Sequence, residues 1–270
     1  MNTSQLSILG CGWLGLPLAK TLQTKGWQIK GSTTSSEKKK ILEAEGIKAY
    51  SIELQEEKIR GEVNQFLKDS ELLIITIPPG LRRSPNSNFV SKLQKLADAI
   101  STSSIKYILY ISSTGVFQDD TSMPTYTEHY QFSNDEFIPQ QLIQAEQLLL
   151  NLPQVQTTVL RFGGLVGEER HPVKFLSGKT GLKNPSASVN LIHLENCIYL
   201  MLEIIRQEKF GHIFHGVEQV EFSKDEYYTQ KANTLGLPVP KFDTNSNSQG
   251  KKISMEWTAQ QLGVQLPTKV

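Results

Sequence analysis

Residues 8–15 read Ile-Leu-Gly-Cys-Gly-Trp-Leu-Gly, ILGCGWLG: an apolar run closing on Gly10-x-Gly12-x-x-Gly15. Glycine triplets occur in ordinary turns, so the spacing alone is a weak signal. Here the triplet follows a strand pattern (Leu6–Leu9), opens a helical one (Leu14–Lys25) and begins a full βαβ unit, which is the context a dinucleotide loop requires. Gly10 permits the tight turn, Gly12 lets the backbone approach a pyrophosphate, and Gly15 lets helix and strand pack closely. Trp13 and Leu14 complete the loop, and the helix start offers N–H groups and the positive end of its dipole. The loop reads as a dinucleotide site; the alternative is a purely structural glycine turn.

Outward from this loop the chain alternates short apolar runs with helical patterns. Strands are expected at Trp27–Gly31, Lys48–Ile52, Leu72–Ile77, Tyr107–Ile111 and Thr157–Arg161. Helices are expected at Glu37–Glu45, Arg60–Lys68, Phe89–Ser101 and Pro139–Leu152. Apolar runs of four to six residues joined by helical crossovers describe a parallel sheet covered on both faces. A helix at Leu194–Arg206 and a strand at His212–Gly216 resume the alternation. The expected fold is α/β, a Rossmann-type doubly wound parallel sheet with a small C-terminal substrate lobe. Residues 1–162 and 190–216 form the dinucleotide-binding domain in this reading. Residues 163–189 and 217–270 form the smaller substrate-binding lobe. TNSNSQGKK, Thr244–Lys252, reads as a mobile surface loop.

The bulk numbers exclude several classes. With 38% hydrophobic and 20% charged residues, the 270-residue chain has the composition of a soluble globular protein. A formal net charge of +1 argues against a nucleic-acid surface as the main partner. Cys11 and Cys197 make neither a disulfide framework nor a metal set, so a reducing cytoplasm is the expected location. LSILGCGWLGLPLA is apolar enough for a signal-peptide core, but no basic segment precedes it. No run of eighteen apolar residues exists, so no membrane span is expected. His193 and Glu195 lack a third ligand nearby, and no metal site is read.

Cofactor choice depends on the end of the second strand, where NAD-preferring sites place a carboxylate for the ribose 2′-hydroxyl. Residues 31–40 read GSTTSSEKKK instead. Ser32, Thr33 and Thr34, with Lys38 nearby, suit a 2′-phosphate, so NADP is expected, with NAD the alternative. Ser36 is the expected N-cap of the following helix, with Glu37 near its positive end.

Several later segments carry a family resemblance: ITIPP (75–79), YISSTGVF (110–117), LRFGGLVGEERHP (160–172), NLIHLENC (190–197) and GHIFHGVEQVEFSKDEYY (211–228). Together with the loop they make the chain resemble the extended short-chain dehydrogenase/reductase superfamily, specifically atypical members of the NAD-dependent epimerase/dehydratase family, over nearly its whole length. The resemblance implies that Pro78, Pro79 and Ser112 border the cofactor. It implies that Ser113, at the end of the fifth strand, donates to the reacting oxygen; the alternative is a strand-end serine bonding its own backbone. It also implies Tyr-x-x-x-Lys on the next helix, where FIPQQLIQAEQLLL places Ile138 and Leu142 in the two slots. Neither side chain can move a proton.

A second Tyr-x-x-x-Lys, Tyr227 to Lys231 in YYTQK, lies beyond the last sheet strand, after a Ser223–Glu226 capping pattern. The resemblance implies that this segment belongs to the substrate lobe and that its tyrosine packs there rather than forming a catalytic pair. Tyr126, beside Glu128, is the first alternative acid, ahead of His129 and Tyr130; loop packing is the other reading of each. Arg161, Arg170 and His171 suit an anionic or sugar-like substrate, or structural pairing. Two functions stay open. One is an NADP-dependent oxidoreductase, epimerase or dehydratase acting on a small-molecule substrate. The other is a dinucleotide-binding sensor or partner-binding module without turnover. The Pro139–Leu152 helix could join a four-helix homodimer interface or serve as core.

Overall fold

The computed structural model describes residues 5–81, 84–132 and 140–270. The first half winds as β1 (Gln5–Leu9), α1 (Gly15–Thr24), β2 (Gln28–Thr33), α2 (Ser36–Ala44) and β3 (Lys48–Ser51). A small hairpin, β4 (Glu53–Leu54) with β5 (Ile59–Arg60), and α3 (Val63–Leu67) lead to β6 (Leu72–Ile75), α4 (Phe89–Ile100) and β7 (Tyr107–Ser113). Next come β8 (Thr125–Tyr126), α5 (Gln140–Leu150) and β9 (Gln156–Phe162). The remainder comprises β10 (Gly164–Val166), α6 (Pro172–Leu176), β11 (Leu191–His193), α7 (Leu194–Arg206), β12 (Ile213–Gly216), α8 (Lys224–Thr234), β13 (Lys252–Ile253) and α9 (Glu256–Leu262).

The main sheet has seven strands in the order β12-β9-β7-β6-β1-β2-β3. Strands β3, β2, β1, β6 and β7 run parallel, with Leu6 paired to both Ile29 and Leu72. From β1 the chain winds outward through β2 and β3, then returns to β1's other side and winds through β6, β7 and β9. The order therefore reverses between β1 and β6, and in such sheets ligands bind off the carboxyl ends of the strands at that switch point. All four residues of β6 are fully buried, as a central strand covered on both faces requires.

Contacts divide the chain into two compact units. One comprises Met1–Ser112, Pro139–Leu160 and Leu200–Ile213, with a core around Leu9, Phe66, Ile75, Leu93, Tyr110 and Leu149. The other comprises Ser113–Ile138, Arg161–Tyr199 and Phe214–Val270, with a core around Val166, Val173, Leu191, Tyr227 and Tyr228.

Three local expectations are corrected. The N-cap of α2 is Ser35, not Ser36: its backbone is extended, and its hydroxyl accepts from the Lys38 N–H at 3.3 Å. The helix expected from Arg60 begins only at Val63. Arg60 is paired in the hairpin, and Gly61 has φ +101° with the Ser51 carbonyl in the space a Cβ would need. Thr244–Lys252 is not a free loop throughout. Gly250 exchanges both backbone hydrogen bonds with Asp120 at 3.0 Å, and Lys252 lies in β13. Between them, the Lys251 ammonium donates to the Phe117 carbonyl at 2.7 Å.

Candidate functional site

The glycine loop sits at the switch point. Gly10 has φ +104°, and a Cβ there would meet Ile77 Cγ2 at 2.8 Å and Thr76 Oγ1 at 3.0 Å. Only glycine fits that turn. A Cβ on Gly15 would lie 2.3 Å from the Gly10 carbonyl oxygen, so the start of α1 packs backbone against backbone. Gly12 is different: nothing lies within 4 Å of the position its Cβ would take. Its glycine character is not demanded by the fold, and the space beside it is open. Helix α1 follows at once, and its cap position, Leu14, makes no side-chain cap bond. Its first N–H groups are thus not covered by a capping side chain, as an anion at a helix N-terminus requires. Trp13 is half-buried and Leu14 buried. This loop fits a dinucleotide pyrophosphate.

The expected cofactor residues of β2 and α2 do not behave alike. Ser32 is buried, and its hydroxyl accepts from the Gly10 N–H at 3.0 Å. Thr33 is buried too, with Oγ1 accepting from the Ser35 N–H at 3.2 Å. Thr34 and Lys38 are exposed, and no carboxylate stands between Gly31 and Ser36. Beyond β6, Thr76 donates to the Gly10 carbonyl at 2.6 Å, with exposed Pro78 and half-buried Pro79 following. Thr76 was not singled out from the sequence; a hydroxyl interrupting the ITIPP run was the only sign of it.

The end of β7 carries two serines with different surroundings. Ser112 is buried and donates to Glu146 Oε1 of α5 at 2.5 Å, which anchors the strand end to that helix. Ser113 is exposed at the last position of β7, and its hydroxyl accepts from the Gly115 N–H at 3.0 Å. That bond leaves the Ser113 proton for another acceptor. On α5, Leu142 is half-buried, while Ile138 lies outside the described residues.

Tyr126 is buried, stacks on Phe117 with ring centroids 4.6 Å apart, and donates to the Gln118 carbonyl at 3.2 Å. Arg161 is also buried, its guanidinium 5.1 Å from the Phe117 ring centroid and 5.5 Å from that of Phe132. Arg170 is exposed, whereas His171 is buried and caps α6 by accepting from the Val173 N–H at 3.1 Å. The other His171 nitrogen meets the Tyr227 hydroxyl at 2.9 Å, inside the core of the second unit. Nearby in sequence to Tyr126, buried Glu128 accepts from both the N–H and the hydroxyl of Thr258, at 2.9 and 2.6 Å. Among the described residues, no group of His, Cys, Asp and Glu could hold a metal ion, and no helix is long and apolar enough to cross a membrane.

No family model matches the chain. Protein YeeZ of Escherichia coli (strain K12) is 32% identical to it over 263 residues, covering 96% of this chain and 94% of that protein. Among solved structures, UDP-N-acetylglucosamine 4-epimerase from Bacillus cereus matches 98% of this chain and 94% of its own, with TM-score 0.73 and 16% identity. Human epimerase family protein SDR39U1 (isoform 2), solved with NADPH, matches 98% and 96% with TM-score 0.72 and 14% identity. At those identities the two structures speak for the fold.

Proposed function

We propose that this chain, which belongs to one family with Protein YeeZ, is an atypical short-chain dehydrogenase/reductase of the NAD-dependent epimerase/dehydratase type, whose fold it shares. It binds a nicotinamide dinucleotide on the Gly10–Gly15 loop and uses it on a small carbonyl, sugar or nucleotide-sugar substrate. The observation that carries this reading is the open space at Gly12 beside the start of α1, where no side-chain cap occupies the helix end. The bound nicotinamide would supply or accept the hydride. In this reading Ser113 would donate a hydrogen bond to the oxygen on which charge develops, a role supported by its exposed hydroxyl, whose proton the bond from Gly115 leaves available. Leu142 cannot supply the ammonium of the usual pair, so the proton travels by another group or by water. The phosphorylated cofactor is favoured, because the strand end presents Thr34 and Lys38 and no carboxylate.

The second reading, a dinucleotide-binding sensor without turnover, is favoured by the leucine in the lysine slot and by the burial of the other Tyr-x-x-x-Lys tyrosine in its own core. Calorimetric titration separates the possibilities. NADPH should bind at least about tenfold tighter than NADH if one charge-assisted phosphate contact forms. Equal affinities would remove the preference. With a panel of small carbonyl and sugar substrates, Ser113→Ala should lower turnover about 10²-fold. Tight cofactor binding with no turnover on any member would establish the sensor.

A further inference from the structure

The peptide of Gly10 is held on both sides by hydroxyl groups. Its N–H donates to Ser32 Oγ at 3.0 Å, and its carbonyl accepts from Thr76 Oγ1 at 2.6 Å. The next N–H, that of Cys11, donates to the Ser32 carbonyl at 2.8 Å. The Cys11 side chain is buried against Gly31, where a Cβ would lie 2.7 Å from Cys11 Sγ. Consecutive residues of β2 thus seat consecutive residues of the loop, and Thr76 at the end of β6 closes the bracket from the neighbouring strand.

From this we infer that Ser32 and Thr76 are positioning residues that fix the dinucleotide loop, and that Ser32 takes no part in discriminating a 2′-phosphate. The inference rests on the cofactor reading above. Ser32, one residue before the end of β2, is 1% exposed and its oxygen lies against the Gly10 N–H, so it faces the loop. Thr34 and Lys38 are exposed just beyond it, past the end of β2 and in the first turn of α2. A hydroxyl bracket of this kind lowers the conformational freedom the loop would lose on binding, so it affects every dinucleotide alike. A phosphate contact affects only the phosphorylated one.

The test compares NADPH and NADH affinities for the full chain and its Ser32→Ala, Thr76→Val and Lys38→Ala variants. It also follows amide hydrogen exchange at Gly10 and Cys11 in the cofactor-free protein. In the unsubstituted chain both amides should be protected. Ser32→Ala and Thr76→Val should weaken NADPH and NADH by the same factor, about fivefold, leaving their ratio unchanged, and Ser32→Ala should speed exchange at Gly10. Lys38→Ala should lower NADPH affinity alone. A changed NADPH-to-NADH ratio in Ser32→Ala would overturn the inference, as would unchanged affinities in both bracket variants. If those variants fold poorly, exchange in the unsubstituted chain still decides: rapid exchange at Gly10 means that Ser32 does not hold its N–H, and there is no bracket. Absence of any dinucleotide binding to the unsubstituted chain would instead sink the cofactor reading, leaving the exchange arm to judge the bracket alone.

Discussion

The phenol of Tyr227 is 6% exposed, lies in the core of the second unit and is bonded to His171. Burial, then Tyr228 and Glu218, pushes its pKa above the ordinary tyrosine value. An acid–base tyrosine needs the opposite shift, because its phenolate must be accessible near neutral pH. The His171 tautomer is fixed by the local bonds: Nδ1 accepts from Val173, so Nε2 carries the proton and donates to the Tyr227 oxygen. Tyr227→Phe therefore leaves a buried N–H without an acceptor, at a cost of about 1–3 kcal/mol. Urea denaturation should show that loss while calorimetry finds dinucleotide affinity unchanged. Reduced affinity with unchanged stability would place Tyr227 in the binding machinery. YYTQK could be read as a packing segment from its place late in the chain, but the histidine partner 56 residues away in sequence was not legible.

Elements with a strong period were legible, and elements without one were not. The strand expected at Leu72–Ile77 forms over Leu72–Ile75, its wholly apolar part, and the helix at Leu194–Arg206, an apolar stripe ending in a basic last turn, appears at its expected bounds. Strands β4, β5, β8 and β13 have two residues each, too few for any alternation to register. Tertiary pairing rather than local preference makes them strands. Glu218, in the segment between β12 and α8, shows the same limit for a side chain. Its Oε1 accepts from the His193 N–H at 2.8 Å and the Asn196 amide at 2.6 Å, while Oε2 accepts from the Val270 N–H at 2.9 Å. A carboxylate in a turn reads as solvated; this one is 2% exposed and ties the β11–α7 junction to residues 269 and 270. Glu218→Ala should cost about 3 kcal/mol, since several N–H donors lose a charged acceptor, and Glu218→Gln should recover part of it. An alanine variant as stable as the parent would show that the clamp contributes nothing.

For the molecule as a whole, pH is the variable these buried groups set. His215 is fully buried, with Nδ1 donating to the Ser254 carbonyl at 2.8 Å and Nε2 without a hydrogen-bond partner among the described residues. Burial holds its pKa down to about 4 against an ordinary 6.5, with Arg161 acting the same way and the Ser254 and Glu128 contacts opposing. His171 shifts in the same direction, first by burial and then by Lys231 and Lys174. The folded state thus favours neutral histidine. Above pH 6.5 that stability is fully present; as pH falls, the unfolded chain takes up protons first, and stability declines until about pH 4. Urea midpoints measured from pH 7.5 to 4 should fall through this window and fall less in His215→Phe; equal slopes would contradict the assignment. The sheet and its glycine loop could be read from eight residues and the alternation around them. The loop's seat on Ser32 and Thr76 could not, because it depends on which strands become neighbours. The measurement closest to the central claim is NADPH titration of Gly12→Val. Nothing lies within 4 Å of the Cβ position, so a side chain there starts in open space, the space assigned to the pyrophosphate. An unchanged melting temperature is expected, with NADPH affinity lowered by roughly 100-fold or more, from a side chain standing where the backbone must approach the phosphates. Parental affinity in a folded Gly12→Val chain would contradict it.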